Sequence, residues 1–453
     1  MQGSAVREMF EAVFQRDELI ELVKRLGVQK RQRHFDPLDM VLRLVLLGGT
    51  AEAGRLAAAV RDYFEAGHTK VQRSAYYRWF DAEFCELMEH ISARARTYVA
   101  AMPKHLPGIL AGRRDWLAQD STVVRLLDCL YADFPGTGTY AALKVHTLVS
   151  LGCENVVEYE ITPAREHDSP KLVLDERLSG TGLIVDLGYV SHALLRRAAE
   201  LDIQLVVRLK KGWAAYLDVS GPGLVVADWK FPASIEEYFD GETRLPTELG
   251  VPLDVDVVLG RPGSTVRARL VTVEVDDGHM AFLTTVPRKT HDAAAVGMLY
   301  RLRWGVELQH KLAKSGCQLD HITAKSPVSA RILVHAAMIA SMLANATAHL
   351  EHVSQGMVGE KSKRPIRPPH HAMLNWKCIV AAAPRISDLL QNPDGGQKLG
   401  WDHVASVLTH GGADPNWRRK PSPIDDAKGR NATGIAYWKL RPPKPRPARA
   451  AAK

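Results

Sequence analysis

The chain has 453 residues and a mass of 50.1 kDa, which at roughly 150 residues per domain allows about three domains. Hydrophobic residues make up 46% and charged residues 24%, which excludes collagen, wholesale disorder and a small disulfide scaffold. The five cysteines (Cys85, Cys129, Cys153, Cys317, Cys378) form no CxxC pair, so a reducing compartment is expected and structural zinc is not. The opening MQGSAVREMFEAVFQRDE lacks a charged-then-apolar signal pattern, which predicts a cytoplasmic protein.

The net charge is +8, and its distribution matters more than its size. From Asn416 to Lys453 there are 11 basic and 2 acidic residues, so the remaining chain is nearly neutral and the basicity lives in the tail. Such a tail suits a polyanion, most simply nucleic acid, or else is a solvated end.

Residues 1–105 read as helical, with Met9, Phe10, Val13 and Phe14 recurring at three-to-four spacing. Asp36-Pro37 looks like an N-cap with proline at the first helical position, and Gly48-Gly49 ends that helix. Thr50 then caps a second helix that runs to Gly67. A third follows, carrying Lys70, Arg73, Tyr76, Tyr77, Arg78 and Trp79. Two helices around a short glycine turn resemble a helix-turn-helix. Interleaved basic and aromatic residues suit phosphate contact and base stacking, which makes Lys70, Arg73, Tyr77 and Arg78 candidates for nucleic-acid contact; the alternative is that Tyr76, Trp79 and Phe80 are core and the arginines solvated.

From about residue 113 the pattern becomes strand-like. WLAQDSTVVRL, AALKVHTLVSL and NVVEYEITPA predict a three-stranded meander, with Asp120 closing the first strand. SPKLVLDERLSG predicts a helix, GLIVDLGY a fully apolar strand ending in Asp186, SHALLRRAAELDI a helix, and QLVVRLKKGW another strand. The order β-β-β-α-β-α-β is a mixed sheet with helices on its faces, in which acids at strand ends commonly face a ligand. Residues 213–287 predict a β-rich insertion. Asp254 and Asp256 alternate with apolar residues there, and Asp276-Asp277-Gly278 signals a hairpin.

Two helices follow, at 291–316 and 326–350. The second holds Arg331, His335 and Asn345, so a buried core helix is expected rather than a membrane span. Helices near 373–391 and 399–409 come next, and the end, KLRPPKPRPARAAAK, is of low complexity.

On one continuous helix, Tyr300, Arg303, Glu307 and Lys314 fall at about 0°, 300°, 340° and 320°, a narrow stripe. The stripe could be a solvated face, since Glu307 and Lys311 form an i,i+4 pair. It is also what a phosphate-and-metal site needs: a carboxylate for a cation, with cations and a phenol for phosphate oxygens. Asp120, Asp186 and Glu307 would give three carboxylates, which repel unless cations neutralise them and which suit Mg²⁺ or Mn²⁺. Asp115 and Asp168 are rival acids.

These residues carry a resemblance to the DDE transposases of the bacterial IS4 family, covering roughly 115–350. Its most specific piece is the Y-(2)-R-(3)-E-(6)-K signature, met by Tyr300, Arg303, Glu307 and Lys314. Asp120-Ser121-Thr122 matches the first aspartate motif, Lys144 and His146 the K-x-H of the next strand, and Asp186 with Gly188-Tyr189 the second aspartate motif. Leu187 stands where the family usually has arginine, and the basic tail has no counterpart in it.

The resemblance implies an α/β fold: an RNase H-like mixed sheet with helices on both faces, interrupted by the β-rich insertion, with helical N- and C-terminal regions. It implies Asp120, Asp186 and Glu307 as catalytic ligands of two Mg²⁺ (or Mn²⁺) ions, and Tyr300, Arg303 and Lys314 as phosphate contacts. It implies a homodimer acting on the terminal inverted repeats of an insertion sequence and on target DNA, in the bacterial cytoplasm at the nucleoid, without a membrane. An aromatic residue should hold an unstacked base, with Trp213, Trp229, Phe231 and Trp304 all candidates. The expected organisation is a helical DNA-binding domain at 1–110, a catalytic domain at 111–350, a helical region at 351–430 as a candidate for dimerisation, and a basic tail at 431–453. The alternatives are a nuclease on the same core without strand transfer and a catalytically silent DNA-binding regulator of transposition.

Overall fold

The computed structural model describes residues 1–28, 35–46, 56–65, 77–209, 215–217, 254–261, 264–275, 278–356, 370–392 and 397–413. The chain divides into two compact units. The first comprises 1–105, 121–166 and 306–435, and the second 106–120, 167–305 and 436–453.

The first unit holds helices α1 (Gly3–Phe14), α2 (Arg16–Leu26), α3 (Pro37–Leu46), α4 (Leu56–Glu65) and α5 (Ala82–Ala101). The expected cap of α3 is present: Asp36 Oδ1 accepts from the backbone N–H of Leu38 at 2.9 Å and of Asp39 at 3.2 Å, with Pro37 following. Met9, Phe10, Val13 and Phe14 are all buried, as their spacing predicts. Two further helices, α9 (Pro327–Ser354) and α10 (Ala372–Gln391), precede α11 (Gln397–Gly411) in the same unit. Among the described residues α9 is long and apolar enough to cross a membrane, but 78% of its most apolar window is buried. It is the core helix that Arg331, His335 and Asn345 foretold.

Strand β1 (Trp116–Arg125) belongs to both units, with residues 116–120 in the second and 121–125 in the first. In the first unit its latter half leads to β2 (Ala142–Ser150), which pairs antiparallel with β3 (Asn155–Pro163). This is the expected meander.

In the second unit the first half of β1 runs parallel to β4 (Gly182–Val185), and β4 parallel to β5 (Gln204–Arg208). Helix α6 (His192–Glu200) makes the crossover between β4 and β5. Close pairing of β1 and β4 depends on Gly182, where an added Cβ would lie 2.2 Å from the buried Trp116 ring. The insertion supplies β6 (Ala215–Leu217), β7 (Asp254–Arg261), β8 (Ser264–Val275) and β9 (Gly278–Thr284). They continue the sheet from β5 in the order β9-β8-β7-β6, all antiparallel. The hairpin at 276–278 follows from the Val275–Gly278 pairing, although Asp276 and Asp277 lie outside the described residues. A meander followed by parallel crossovers, with helices against the sheet and further antiparallel strands beyond β5, is a mixed α/β arrangement, as the sequence led us to expect.

Three expectations are corrected. SPKLVLDERLSG is not an α-helix but two 3₁₀ turns, Ser169–Lys171 and Glu176–Leu178. Asp175 accepts from the N–H of Arg177 at 2.9 Å, a local bond that competes with helix formation, and Gly180 ends the segment at φ +73°. Asp120 does not close its strand. The β-branched Thr122, Val123 and Val124 keep β1 extended to Arg125, although the parallel ladder with β4 stops at Gln119. Finally, the segment 291–316 is not one helix. It is α7 (Ala293–Arg301), a turn, α8 (Trp304–Lys311) and a π-turn at Leu312–Gly316.

Candidate active site

Asp120 and Asp186 stand at equivalent places on neighbouring strands. The last paired positions of β1 and β4 are Gln119 and Val185, and each aspartate is the next residue. Parallel strands run about 4.8 Å apart, so the two residues come next to each other in register, one on each strand, just past the ladder. Asp186 lies where sequence reasoning put it, closing an apolar strand whose four residues are all buried.

Helix α7 packs on β4, β5 and β9 and presents its end to these acids. The Tyr300 hydroxyl donates to Asp186 Oδ1 at 2.9 Å, and its ring lies 4.8 Å from that of Phe282 on β9. Burial, reinforced by the Asp186 carboxylate, pushes the Tyr300 phenol up to about 12. Arg303 Nη1 donates to Asp120 Oδ2 at 2.5 Å in an ion pair whose side chains are both about one-fifth exposed. Its guanidinium sits 5.9 Å from the Tyr300 ring centroid.

Arg303 reaches Asp120 because the helix breaks there. Arg303 N–H bonds to Tyr300 O at 3.0 Å and Gly305 N–H to Leu302 O at 2.9 Å, short-range bonds that tighten and end α7 before α8 starts. Gly305, a poor helix former, stands at the restart. The stripe calculated for one continuous helix is therefore replaced by two groups. Tyr300 and Arg303 belong to the second unit, and Glu307 and Lys314 to the first.

Glu307 lies half-buried in the first turn of α8. Its helix is fixed within the first unit by two side chains that sequence reasoning missed. His310 Nε2 lies 2.7 Å from Thr147 Oγ1 on β2. Gln309 donates from Nε2 to the Glu154 carbonyl at 2.8 Å and accepts from Asn345 Nδ2 of α9 at 2.5 Å. Lys314 sits in the π-turn, a geometry frequent at functional sites, and donates to the Val123 carbonyl of β1 at 2.8 Å. Burial lowers its ammonium pKa, against the opposing pull of Asp320.

Lys144 and His146 are buried on β2, where Lys144 Nζ donates to the Glu166 carbonyl at 2.8 Å and His146 Nε2 lies 3.0 Å from Thr162 Oγ1. Of the rival acids, Asp115 is buried and accepts from the N–H of Trp116 at 2.8 Å, whereas Asp168 precedes the first 3₁₀ turn. Tyr77 and Arg78 are exposed, while Lys70, Arg73 and Tyr76, with the rest of the expected recognition helix before Tyr77, lie outside the described residues. So do Trp213, Trp229, Phe231 and the basic tail, whereas Trp304, beside Arg303, is 51% exposed.

The donor set of Asp120 and Asp186 fits a hard divalent cation: carboxylate oxygens, partly desolvated, each already drawing a cationic or hydroxyl donor.

The site is thus a mixed sheet in which two aspartates follow the last paired positions of neighbouring parallel strands, one bonded to Tyr300 and the other to Arg303. Residues 114–343, half of the chain, match the transposase DDE domain family, and the chain belongs to that family of DDE transposases. Over 83 residues it is 39% identical to the putative transposase InsL for insertion sequence element IS186A of Escherichia coli (strain K12) and to the transposase for insertion sequence element IS421 of Escherichia coli. Those matches cover 18% of this chain and 22% of the length of each relative. The putative transposase y4zB of Sinorhizobium fredii is 25% identical over 282 residues, covering 58% of this chain and 71% of that protein. Among solved structures, a piggyBac transposase synaptic complex with hairpin DNA aligns at a TM-score of 0.46 and 11% identity, over 92% of this chain and 87% of that one.

Proposed function

We propose that this chain excises and inserts an insertion sequence of the IS4 type, by metal-dependent cleavage and strand transfer at terminal inverted repeats. The observation that supports it most is that Asp120 and Asp186 follow the end of a parallel ladder on adjacent strands, with Tyr300 of α7 donating to Asp186 and Arg303, in the turn after α7, donating to Asp120.

In this reading Asp120, Asp186 and Glu307 hold two Mg²⁺ or Mn²⁺ ions. When bound, the ions activate an attacking oxygen and stabilise the leaving oxygen on phosphorus. The protein's own groups do the rest. Tyr300 and Arg303 hold the two aspartates and turn to phosphate oxygens next to the break, where Arg303 offers a bidentate grip. Lys314 supplies a further positive charge from its π-turn. Trp304, exposed and next in sequence to Arg303, is one candidate to take an unstacked base. The freed 3′-hydroxyl attacks the opposite strand to give a hairpin, water reopens it, and the same hydroxyl attacks target DNA. Each step is an in-line displacement at phosphorus, so one site serves all of them.

Residues 111–350 form the catalytic segment in this reading, and 1–110 bind the transposon ends, with Lys70, Arg73, Tyr77 and Arg78 as contacts. Residues 351–430 support a homodimer, and the basic tail at 431–453 adds non-specific DNA affinity. The protein would work in the bacterial cytoplasm at the nucleoid.

The test is incubation of the purified protein with labelled inverted-repeat ends and a target plasmid in Mg²⁺. Joined products support transposition, hydrolysis without joining supports the nuclease alternative, and binding without either supports a silent regulator.

A further inference from the structure

We propose that Cys85, Glu89 and His335 form a binding site for a zinc-type divalent cation, separate from the aspartates of the DDE chemistry, that ties α5 to α9 in the first unit. Cys85 and Glu89 are four residues apart on α5 and so share a helix face. His335 comes from the core helix α9, which packs against α5. Their ligand atoms all lie within 4.8 Å of one another, and His335 Nε2 is 3.6 Å from Glu89 Oε1. Neighbouring donors of a tetrahedral zinc ion with bonds of 2.0–2.3 Å stand about 3.3–3.7 Å apart, so little contraction is required.

The histidine shows what the cluster lacks. Its side chain is only 9% exposed, and its buried Nε2 makes no contact closer than the 3.6 Å approach to Glu89 Oε1, an interaction that holds the Glu89 carboxyl below its ordinary value but is long for a hydrogen bond. Buried polar atoms are nearly always satisfied, so a lone one aimed at a thiol and a carboxylate calls for a ligand. The other ring nitrogen is already anchored: Nδ1 lies 2.6 Å from the Tyr159 hydroxyl, which lies 2.7 Å from Ser92 Oγ. With Nδ1–H donated to the phenol oxygen and the phenol hydrogen passed on to Ser92, Nε2 presents its lone pair. This is the outer-shell support that metal-binding histidines receive.

The charges agree. A thiolate, a carboxylate and a neutral imidazole carry two negative charges, which a divalent cation cancels. Burial and the Glu89 carboxylate raise the Cys85 thiol to about 11, while the Arg331 guanidinium, one turn before His335, opposes that rise. Binding of the ion therefore releases the thiol proton to solvent as the metal–sulfur bond forms. Glu89 is 54% exposed at its side chain, which gives the ion a path in and leaves a fourth position open to water. The CxxC rule missed the set because one ligand lies 250 residues away from the first and meets it only through helix packing.

The test strips the full-length protein with a chelator and titrates it with Co²⁺, read by visible absorption and by the near-ultraviolet thiolate-to-cobalt charge-transfer band. Expected are saturation with that band, its displacement by Zn²⁺, and no displacement by about a thousandfold excess of Mg²⁺. Cys85→Ser should lose the band. Glu89→Gln, at a half-exposed position where the fold is not at risk, should weaken Co²⁺ binding by about tenfold or more. The Asp120→Asn, Asp186→Asn double variant should titrate like wild type, which separates this site from the proposed cleavage site. Absence of the band in wild type, its persistence in Cys85→Ser, or unchanged affinity in Glu89→Gln overturns the proposal.

Discussion

Tyr300 donates its hydroxyl hydrogen to Asp186 Oδ1 at 2.9 Å, across 114 residues of chain. Three residues on, Arg303 makes the corresponding contact with Asp120. The end of α7 and the turn that follows it thus contact both aspartates that come after the paired positions of β1 and β4.

Arg303→Lys separates phosphate positioning from metal binding. Lysine keeps the charge but loses the two-pronged donor geometry. We expect metal affinity to hold while hairpin formation or strand transfer slows more than the first nick. Loss of one such contact costs on the order of 3 kcal/mol, or about a hundredfold in rate. A time course on a labelled transposon end, resolving nicked, hairpin and joined products, checks this. Equal slowing of all steps, or a parallel fall in metal affinity, contradicts it.

End recognition is tested by replacing Arg73 and Arg78 with alanine. Arg78 is exposed beside the exposed Tyr77. Affinity for inverted-repeat DNA should fall, and its salt dependence should become shallower, because each lost phosphate contact releases fewer counterions. Unchanged affinity and salt slope in a gel-shift titration assign both arginines to a solvated surface.

The histidines of α9 set an acid limit on stability. Burial holds His349 down at about 4, and burial with the neighbouring His349 and His370 holds His352 down at about 3. His349 Nε2 lies 2.7 Å from the Pro103 carbonyl, and His352 Nε2 accepts from the N–H of His370 at 3.0 Å. Both folded values lie below the unfolded value of 6.5, so the unfolded chain takes up protons first. Stability is full above pH 6.5 and is lost as pH falls towards 4 and then 3. Between pH 6.5 and 5 the loss is up to about 2 kcal/mol per histidine. Urea denaturation at pH 7 and pH 5 measures it, and His352→Asn should flatten the difference. A pH difference that the variant leaves intact places the acid limit elsewhere.

Much of this was legible in the sequence, for identifiable reasons. β2, β4 and β5 are buried strands rich in β-branched and apolar residues, and the acid that follows GLIV marks where β4 ends. The end of β1 was misplaced because Asp120 looks like a strand terminator, whereas the β-branched Thr122 to Val124 keep the strand extended to Arg125. The break at Leu302–Arg303 was invisible because Y-(2)-R-(3)-E spacing is also helical spacing, and a single glycine at 305 does not by itself stop a helix. Gln309 and His310 escaped notice because their partners, Glu154, Asn345 and Thr147, are set by tertiary packing.

The central claim, that Asp120 and Asp186 hold the metal of a DNA-cutting site, is tested most directly by one assay. Wild type, Asp120→Asn and Asp186→Asn are compared for Mg²⁺-dependent cleavage of a labelled inverted-repeat end, with end binding measured on the same preparations. Each substitution removes an anionic ligand but almost no volume. The expected result is cleavage by wild type, cleavage reduced by about a thousandfold or more in both variants, and binding within a few-fold of wild type. Cleavage near the wild-type rate by either variant contradicts the claim.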